Sequence, residues 1–332
     1  MTKHIYIGID VGGSKIEGIL WQNGKISSWQ KVKTPRTKKE FVGALFDIIG
    51  VVKADRKIQG IGMSLAGAID QRTGVVVSSP NLRFLAGLNL QKIVAKKFGV
   101  PVRLQNDAQC FLLGEVRFGQ ARGKTNVLGM IIGTGLGGAI YMNGQLLSGA
   151  HGFAGEQGMA TLCITPSLLQ REGRLPATLS LARRAGGEYF TVEDLISSHG
   201  FRRLGVAKPL DYQNRAFSGD KKAIGVYNSI GKFLGIHLAN LTEIFNPELI
   251  IIGGGIARAR YLLLRPALAE MRKHLVFPKK YWPAIRTSKL KNAGLLGAVS
   301  LFFSSPGLGR VAGRPREVAN YPISKNNKKA PN

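Results

Sequence analysis

The chain has 332 residues, 44% of them hydrophobic, and carries a formal net charge of +28. That length and hydrophobic content suit two domains, each with its own core, and disorder is not expected for most of the chain; Cys110 and Cys163, the only cysteines, exclude a disulfide framework and a four-sulfur metal centre. No apolar run reaches the roughly 18 residues of a membrane span, and the N-terminus enters a strand pattern without a signal-peptide block, so a cytoplasmic location is expected.

Residues 4–10, 15–22 and 25–33 read as strands, the last two joined by the tight turn Asn23-Gly24. A helix at 38–54, a strand at 57–65, a loop ending at 78–82, a helix at 89–99, a strand at 101–107 and a helix at 108–119 follow. The pattern then repeats, with strands at 126–133 and 136–147 around the turn Asn143-Gly144 and a helical region of about 110 residues that includes 219–247. A buried-looking strand at 248–254, a helix, a strand at 284–289 and an apolar segment at 293–303 complete it. Two similar halves imply a two-domain α/β architecture with a cleft between the domains. The expected division is a small domain over 1–118, a larger one over 119–292, a helix at 293–304 packing back on the first domain, and a basic flexible tail at 305–332.

Basic residues cluster at 31–40, 272–282 and 324–332. No RNA-binding aromatic signature, zinc finger or uninterrupted basic helix accompanies them, so they read as solvated faces. Nucleic-acid contact is expected to be nonspecific at most, and no membrane partner is expected.

Three glycine-rich turns carry the chemistry. In IDVGGSKI, Asp10 ends a strand and Gly12, Gly13, Ser14 and Lys15 form a turn; in IIGTGLGG, Gly133, Thr134 and Gly135 do the same. Glycines let backbone N–H groups approach an anion, and the hydroxyls of Ser14 and Thr134 add donors, so each turn suits phosphate. Neither has P-loop or dinucleotide-fold form, and a plain hairpin turn is the alternative for either alone. Gly253, Gly254 and Gly255, between a strand and a helix, suit a purine or ribose. Asp107, beside Asn106 at a strand-to-helix junction, is either a catalytic acid or an ordinary helix cap. Asn106 and Glu156 suit contacts to a polyhydroxylated substrate.

In this order DVGGSK, QNDA, GTGLGGAI, GAHGFAGEQG and NPELIIIGGG resemble the motifs of the ROK sugar kinases, within the actin, hexokinase and heat-shock-protein ATPase superfamily, from about His4 to Phe303. The resemblance implies an actin-like (ribonuclease H-like) fold and ATP-dependent phosphorylation of a hexose, glucose first. It implies Asp107 as general base and Asp10 as a holder of magnesium through water. Gly12 to Lys15 and Gly133 to Gly135 would embrace the phosphates, and Gly253 to Gly255 would line the adenosine. Asn81, Asn106, Asp107 and Glu156 would hydrogen-bond the sugar.

The family's zinc-binding His falls at Met159, and one cysteine, Cys163, remains of its three, so no zinc is expected. The family also places a sugar-contacting Glu after the last cysteine; Glu172 is the nearest equivalent, with a solvated helix carboxylate as the alternative. The alternatives for the whole chain are a fructokinase, an N-acetylhexosamine kinase, a polyphosphate-dependent glucokinase, a non-catalytic sugar binder, or a sugar-responsive repressor. The repressors carry a helix-turn-helix domain before the first phosphate motif, and with Asp10 so near the start of this sequence no such domain is expected. A homodimer is compatible with the resemblance.

Overall fold

The computed structural model describes residues 4–164 and 188–303. The expected tail and Glu172 lie outside these residues, as does the side chain of Cys163.

Strands β1 (Ile5–Val11), β2 (Lys15–Gln22) and β3 (Lys25–Lys33) form an antiparallel meander. Ile5, Ile7, Ile9 and Val11 are all buried, whereas β3 is largely exposed and carries Lys25, Lys31 and Lys33, charges that discourage pairing at an open edge. Helix α1 (Lys38–Lys53) starts at Thr37, whose hydroxyl accepts the Glu40 N–H at 3.4 Å. Strand β4 (Gly60–Leu65), the short hairpin β5 (Ala68–Asp70) and β6 (Val75–Ser78), helix α2 (Leu90–Phe98) and strand β7 (Val102–Asn106) follow. The first sheet has the order β3-β2-β1-β4-β7, with β1, β4 and β7 parallel. Helices α1 and α2 cover one face of it through Phe41, Leu45, Ile49 and Val94.

After helix α3 (Asp107–Phe118) come β8 (Val127–Ile132), β9 (Leu136–Met142) and β10 (Gln145–Leu146). The ladder β11 (Thr161–Ile164) and β12 (Glu188–Thr191) leads into helices α4 (Val192–Ile196), α5 (Ser198–Arg203), α6 (Pro209–Phe217) and α7 (Lys221–Phe245). Strand β13 (Leu249–Gly253), helix α8 (Tyr261–His274), strand β14 (Ala284–Thr287) and helix α9 (Ala293–Ser300) complete the described chain. The second sheet, β10-β9-β8-β13-β14, repeats the order and directions of the first.

The region read from sequence as continuously helical departs most from expectation, because β11 and β12 interrupt it. Each strand has four residues and pairs with a partner distant in sequence, so neither leaves a local period to read. Where the period is long it holds: α7 runs 25 residues, and its Gly231 and Gly235 admit α8, since an added Cβ would stand 2.5 Å from Pro266 Cγ and 2.4 Å from the Ala267 carbonyl.

Between the sheets lies a layer of two helices. Helix α9 packs on the first sheet at Gly8 and Gly62, where an added Cβ would lie 2.5 Å from the Leu295 carbonyl and 1.9 Å from the Ala298 carbonyl. Helix α3 packs on the second sheet, Leu112 against Gly129 and Phe111 against Gly253. The two helices meet at Gly114 and Gly297, which face the Ala293 and Cys110 carbonyls. This mixed α/β architecture sets the start of α3 and the ends of β1 and β8 around one region.

Candidate functional site

Asp10 sits near the C-terminal end of β1, beside Gly294 of α9. Ser64 on the adjacent strand donates to its Oδ1 at 2.6 Å. Burial, helped by the charges of Asp107 and Glu17, pushes the Asp10 pKa up to about 6 against the opposing Ser64 hydrogen bond and Lys15. Lys15 is itself paired with Glu17, its neighbour across one residue of β2.

The first glycine turn is tied to β3: the Thr34 hydroxyl donates to the Gly12 carbonyl at 2.7 Å, and the Thr34 N–H to the Ser14 carbonyl at 3.1 Å. Asn81 stands against Gly13, where an added Cβ would be 2.7 Å from the Asn81 Cβ. Only a glycine lets both share that space.

At the β7–α3 junction Asn106, not Asp107, is the cap. Its Oδ1 accepts the N–H groups of Ala108 at 2.9 Å and Gln109 at 3.2 Å, while its Nδ2 donates to the Gly67 carbonyl at 3.1 Å. The cap role weighed for Asp107 therefore belongs to its neighbour, although the Asp107 Oδ1 also accepts the Ala108 N–H at 2.9 Å. Burial raises the Asp107 pKa against the Ala108 N–H, and the Glu156 charge adds to the rise. Gln109, one turn into α3, donates to the Ala154 carbonyl at 3.5 Å and ties the helix to the loop that carries Glu156.

That loop is anchored by buried Gln157, whose Nε2 donates to the Gly129 carbonyl at 3.3 Å. Glu156 has its pKa raised by burial and then by Glu193. Met159, which the sequence reading set at a zinc-binding His position, is 52% exposed.

Glu193 was not singled out by sequence reading. Its Oε2 accepts the Leu136 N–H at 2.7 Å, and a Cβ on Gly135 would stand 2.4 Å from the same oxygen. His199 Nδ1 lies 3.8 Å from its other oxygen. Ser198 grips the other end of the turn, donating through Oγ at 2.9 Å and N–H at 3.0 Å to the Gly133 carbonyl. In sequence, Glu193 looks like an ordinary first-turn acid after the Thr191 cap, so only folding brings it to the second glycine turn. Ser64, Ser198 and Gln109 were missed for the same reason: each is one polar residue inside a strand or helix.

At the third turn, Gly254 has φ +92° and packs on the Ile132 carbonyl, and Gly253 abuts the Phe111 ring, while Gly255 is open. Electrostatic contacts thus run from Asp10 to Asp107, from Asp107 to Glu156 and from Glu156 to Glu193, linking the first glycine turn to the second. Such a row of carboxylates between two glycine-rich turns suits a hydroxyl-rich substrate on one side and a phosphate chain with its counter-cation on the other. Among the described residues, no helix is long and apolar enough to cross a membrane.

Residues 6–304 match the model of the ROK family. The glucokinase of Thermotoga maritima is 29% identical over 317 residues, which are 91% of this chain and 98% of that protein. The N-acetyl-D-glucosamine kinase of Haemophilus influenzae is 28% identical, over 90% of this chain and 100% of its own length. The solved ROK glucokinase of Streptomyces griseus, in complex with glucose and AMPPNP, superposes with a TM-score of 0.71 at 27% identity, covering 90% of this chain and 98% of that one.

Proposed function

Since the chain belongs to the ROK family, we propose that it is a sugar kinase that moves the terminal phosphoryl group of ATP to a hexose hydroxyl, the 6-OH of glucose first. The observation that carries this reading is Asp107: a carboxylate at a helix start that does not need it as a cap, with its pKa raised, electrostatically linked to Asp10 on one side and Glu156 on the other. Relatives that act on glucose and on N-acetyl-D-glucosamine support a hexose acceptor.

Asp107 takes the proton of the attacking hydroxyl, and its raised pKa makes it a stronger base than an exposed aspartate. Glu156 and Glu193 accept hydrogen bonds from sugar hydroxyls, Glu193 being a carboxylate beside the second glycine turn. Asn81 contributes from the first turn, and Asn106 holds the start of α3 in register beside the sugar. Gly12 to Lys15 and Gly133 to Gly135 present backbone N–H groups to the phosphates, and Gly253 to Gly255 leave room for the adenosine. Asp10, with Asp107 in electrostatic reach, fits magnesium held through water, an ion that keeps much of its hydration and binds one or two carboxylates. Magnesium bound there would neutralise charge on the nucleotide phosphates. Closing the cleft excludes the water that would otherwise compete for the phosphoryl group.

The test is ADP release over a hexose panel, with ATP and inorganic polyphosphate compared as donors. Glucose turnover with ATP is expected, and Asp107→Asn should keep hexose binding while kcat falls about 10²- to 10⁴-fold. No turnover on any hexose by the folded protein, or an Asp107→Asn enzyme as active as wild type, would overturn the reading.

A further inference from the structure

In sequence the basic cluster at 272–282 reads as a solvated face; in the structure it is the loop from the end of α8 to β14, and it holds apolar side chains in water among its charges. Val276 is 85% exposed, Phe277 and Tyr281 are also exposed, and Ile244 near the end of α7 is 70% exposed. The loop is fixed at both ends. The Val276 N–H donates to Glu243 Oε1 at 2.8 Å, which fastens its start to the residue before Ile244. The Trp282 indole N–H donates to the Phe277 carbonyl at 2.6 Å, and the N–H groups of Tyr281 and Trp282 donate to the carbonyls of Pro278 and Lys279. A backbone so held presents large apolar groups that a partner would remove from water at little cost in order.

Charge decides what that partner is. Cations precede the apolar pair at Arg272 and Lys273 and follow it at Lys279 and Lys280, all of them exposed. Arg272, Lys279 and Lys280 form no ion pair among the described residues, and the Lys280 Nζ lies 4.8 Å from the Tyr281 ring centroid. The acids here are engaged: Glu243 by the Val276 N–H, buried Glu270 by Lys273 and His274, and Glu248 by Lys124 and the Thr125 N–H. We propose that this loop docks the chain on the face of an anionic lipid bilayer, with Val276 and Phe277 entering the interface and Arg272, Lys279 and Lys280 meeting the headgroup phosphates. A second copy would set the same cations against one another. Nucleic acid would use the charges but not Val276, the most exposed of these side chains, which has no ring to stack on a base.

The topology keeps such a contact away from the chemistry. Strand β14 is parallel to β13 and starts at Ala284 opposite Leu249, so the loop enters at the end of the sheet where β13 begins. The second and third glycine turns follow the other ends of the parallel strands β8 and β13. A bilayer met by the loop therefore lies a strand's length from those turns and leaves them open to substrate. Only the surface is engaged, with no spanning segment.

Docking is read without turnover, so it stands or falls apart from the kinase reading. The full chain is floated with vesicles of phosphatidylcholine alone and of an equimolar mixture with phosphatidylglycerol, at low salt. Binding is expected to the mixed vesicles, at least about tenfold tighter than to phosphatidylcholine. Because the whole chain is basic, the loop is separated from general attraction by paired variants. Lys279→Ala with Lys280→Ala should weaken binding at least about tenfold, whereas Lys31→Ala with Lys33→Ala, the same charge change on exposed β3, should weaken it less than about threefold. Val276→Ser with Phe277→Ser, which changes no charge, should weaken it about tenfold while the circular dichroism melt stays unchanged. Failure of the wild-type chain to bind mixed vesicles, equal losses in the two lysine pairs, or full binding by a folded serine pair overturns the proposal. Duplex DNA and poly-L-glutamate are run as soluble polyanions, and neither should bind the serine pair more weakly than wild type. A loss there matching the loss on vesicles would overturn the bilayer assignment in favour of that polyanion.

Discussion

Asp10 shows what the site costs the fold. A carboxyl pushed up to about 6 resists ionisation in the folded protein, whereas unfolded it ionises near 3.8. Its contribution to stability is therefore fully present below 3.8 and is lost as pH rises through 6. Asp10→Asn removes the buried charge, so in nucleotide-free protein it should unfold at higher temperature than wild type at pH 8, by an amount worth on the order of 1–2 kcal/mol. The advantage should shrink as pH falls through 6 and vanish near 4, while turnover is lost at every pH. Calorimetric melting across that range checks it; an Asp10→Asn protein less stable than wild type at pH 8 would contradict it. Ser64→Ala removes the hydrogen bond that holds the Asp10 pKa down and should move the acidic limb of the activity profile to higher pH. At this scale the residues legible in the sequence were those with a local signature, an acid beside glycines or a carboxylate at a junction. Glu193 and Ser64 carry no such signature, because their partners at Leu136 and Asp10 come together only in three dimensions.

Among elements, the two-helix layer is the part most exposed to substitution. An added Cβ at Gly297 would stand 1.6 Å from the Cys110 carbonyl, a backbone atom that cannot move without shifting α3. Gly297→Ala should destabilise by about 3 kcal/mol or prevent folding, the upper range for overpacking. Gly225 of α7 is the control: it is exposed, nothing lies within 4 Å of its added Cβ, and Gly225→Ala should stabilise by about 0.5–1 kcal/mol through helix propensity. Urea unfolding of the pair reads both signs in one experiment. Most elements were legible because each carries its own period or cap: the continuous apolar run of β13, the Thr37 start of α1, the Asn-Gly turns. The expected return of the 293–304 helix to the first domain did not extend to its closeness, since the glycines that permit it, Gly8, Gly62, Gly114 and Gly297, are spread from β1 to α9 and mean nothing until packed. The ladder of β11 and β12 was hidden because its pairing joins Thr161 to Thr191 across a long intervening segment.

For the whole molecule, identical strand order in both sheets explains why the motifs could be read as a repeated pattern, each glycine turn recurring after the corresponding strand. The net charge of +28 is a property of no single site, and its effect is on encounter. A strongly basic protein attracts a polyanion such as ATP over distances of about one Debye length, roughly 10 Å at 0.1 M salt, and is indifferent to a neutral hexose. Raising potassium chloride from low to moderate concentration at fixed pH and magnesium should therefore lower kcat/KM for ATP by several-fold while leaving kcat/KM for the sugar at saturating ATP nearly unchanged. The sugar serves as the internal control, because salt effects on folding or cleft closure would change both constants together. Equal salt sensitivity for the two substrates would show that the basic surface does not steer the nucleotide, and would assign the charge to solvated faces alone.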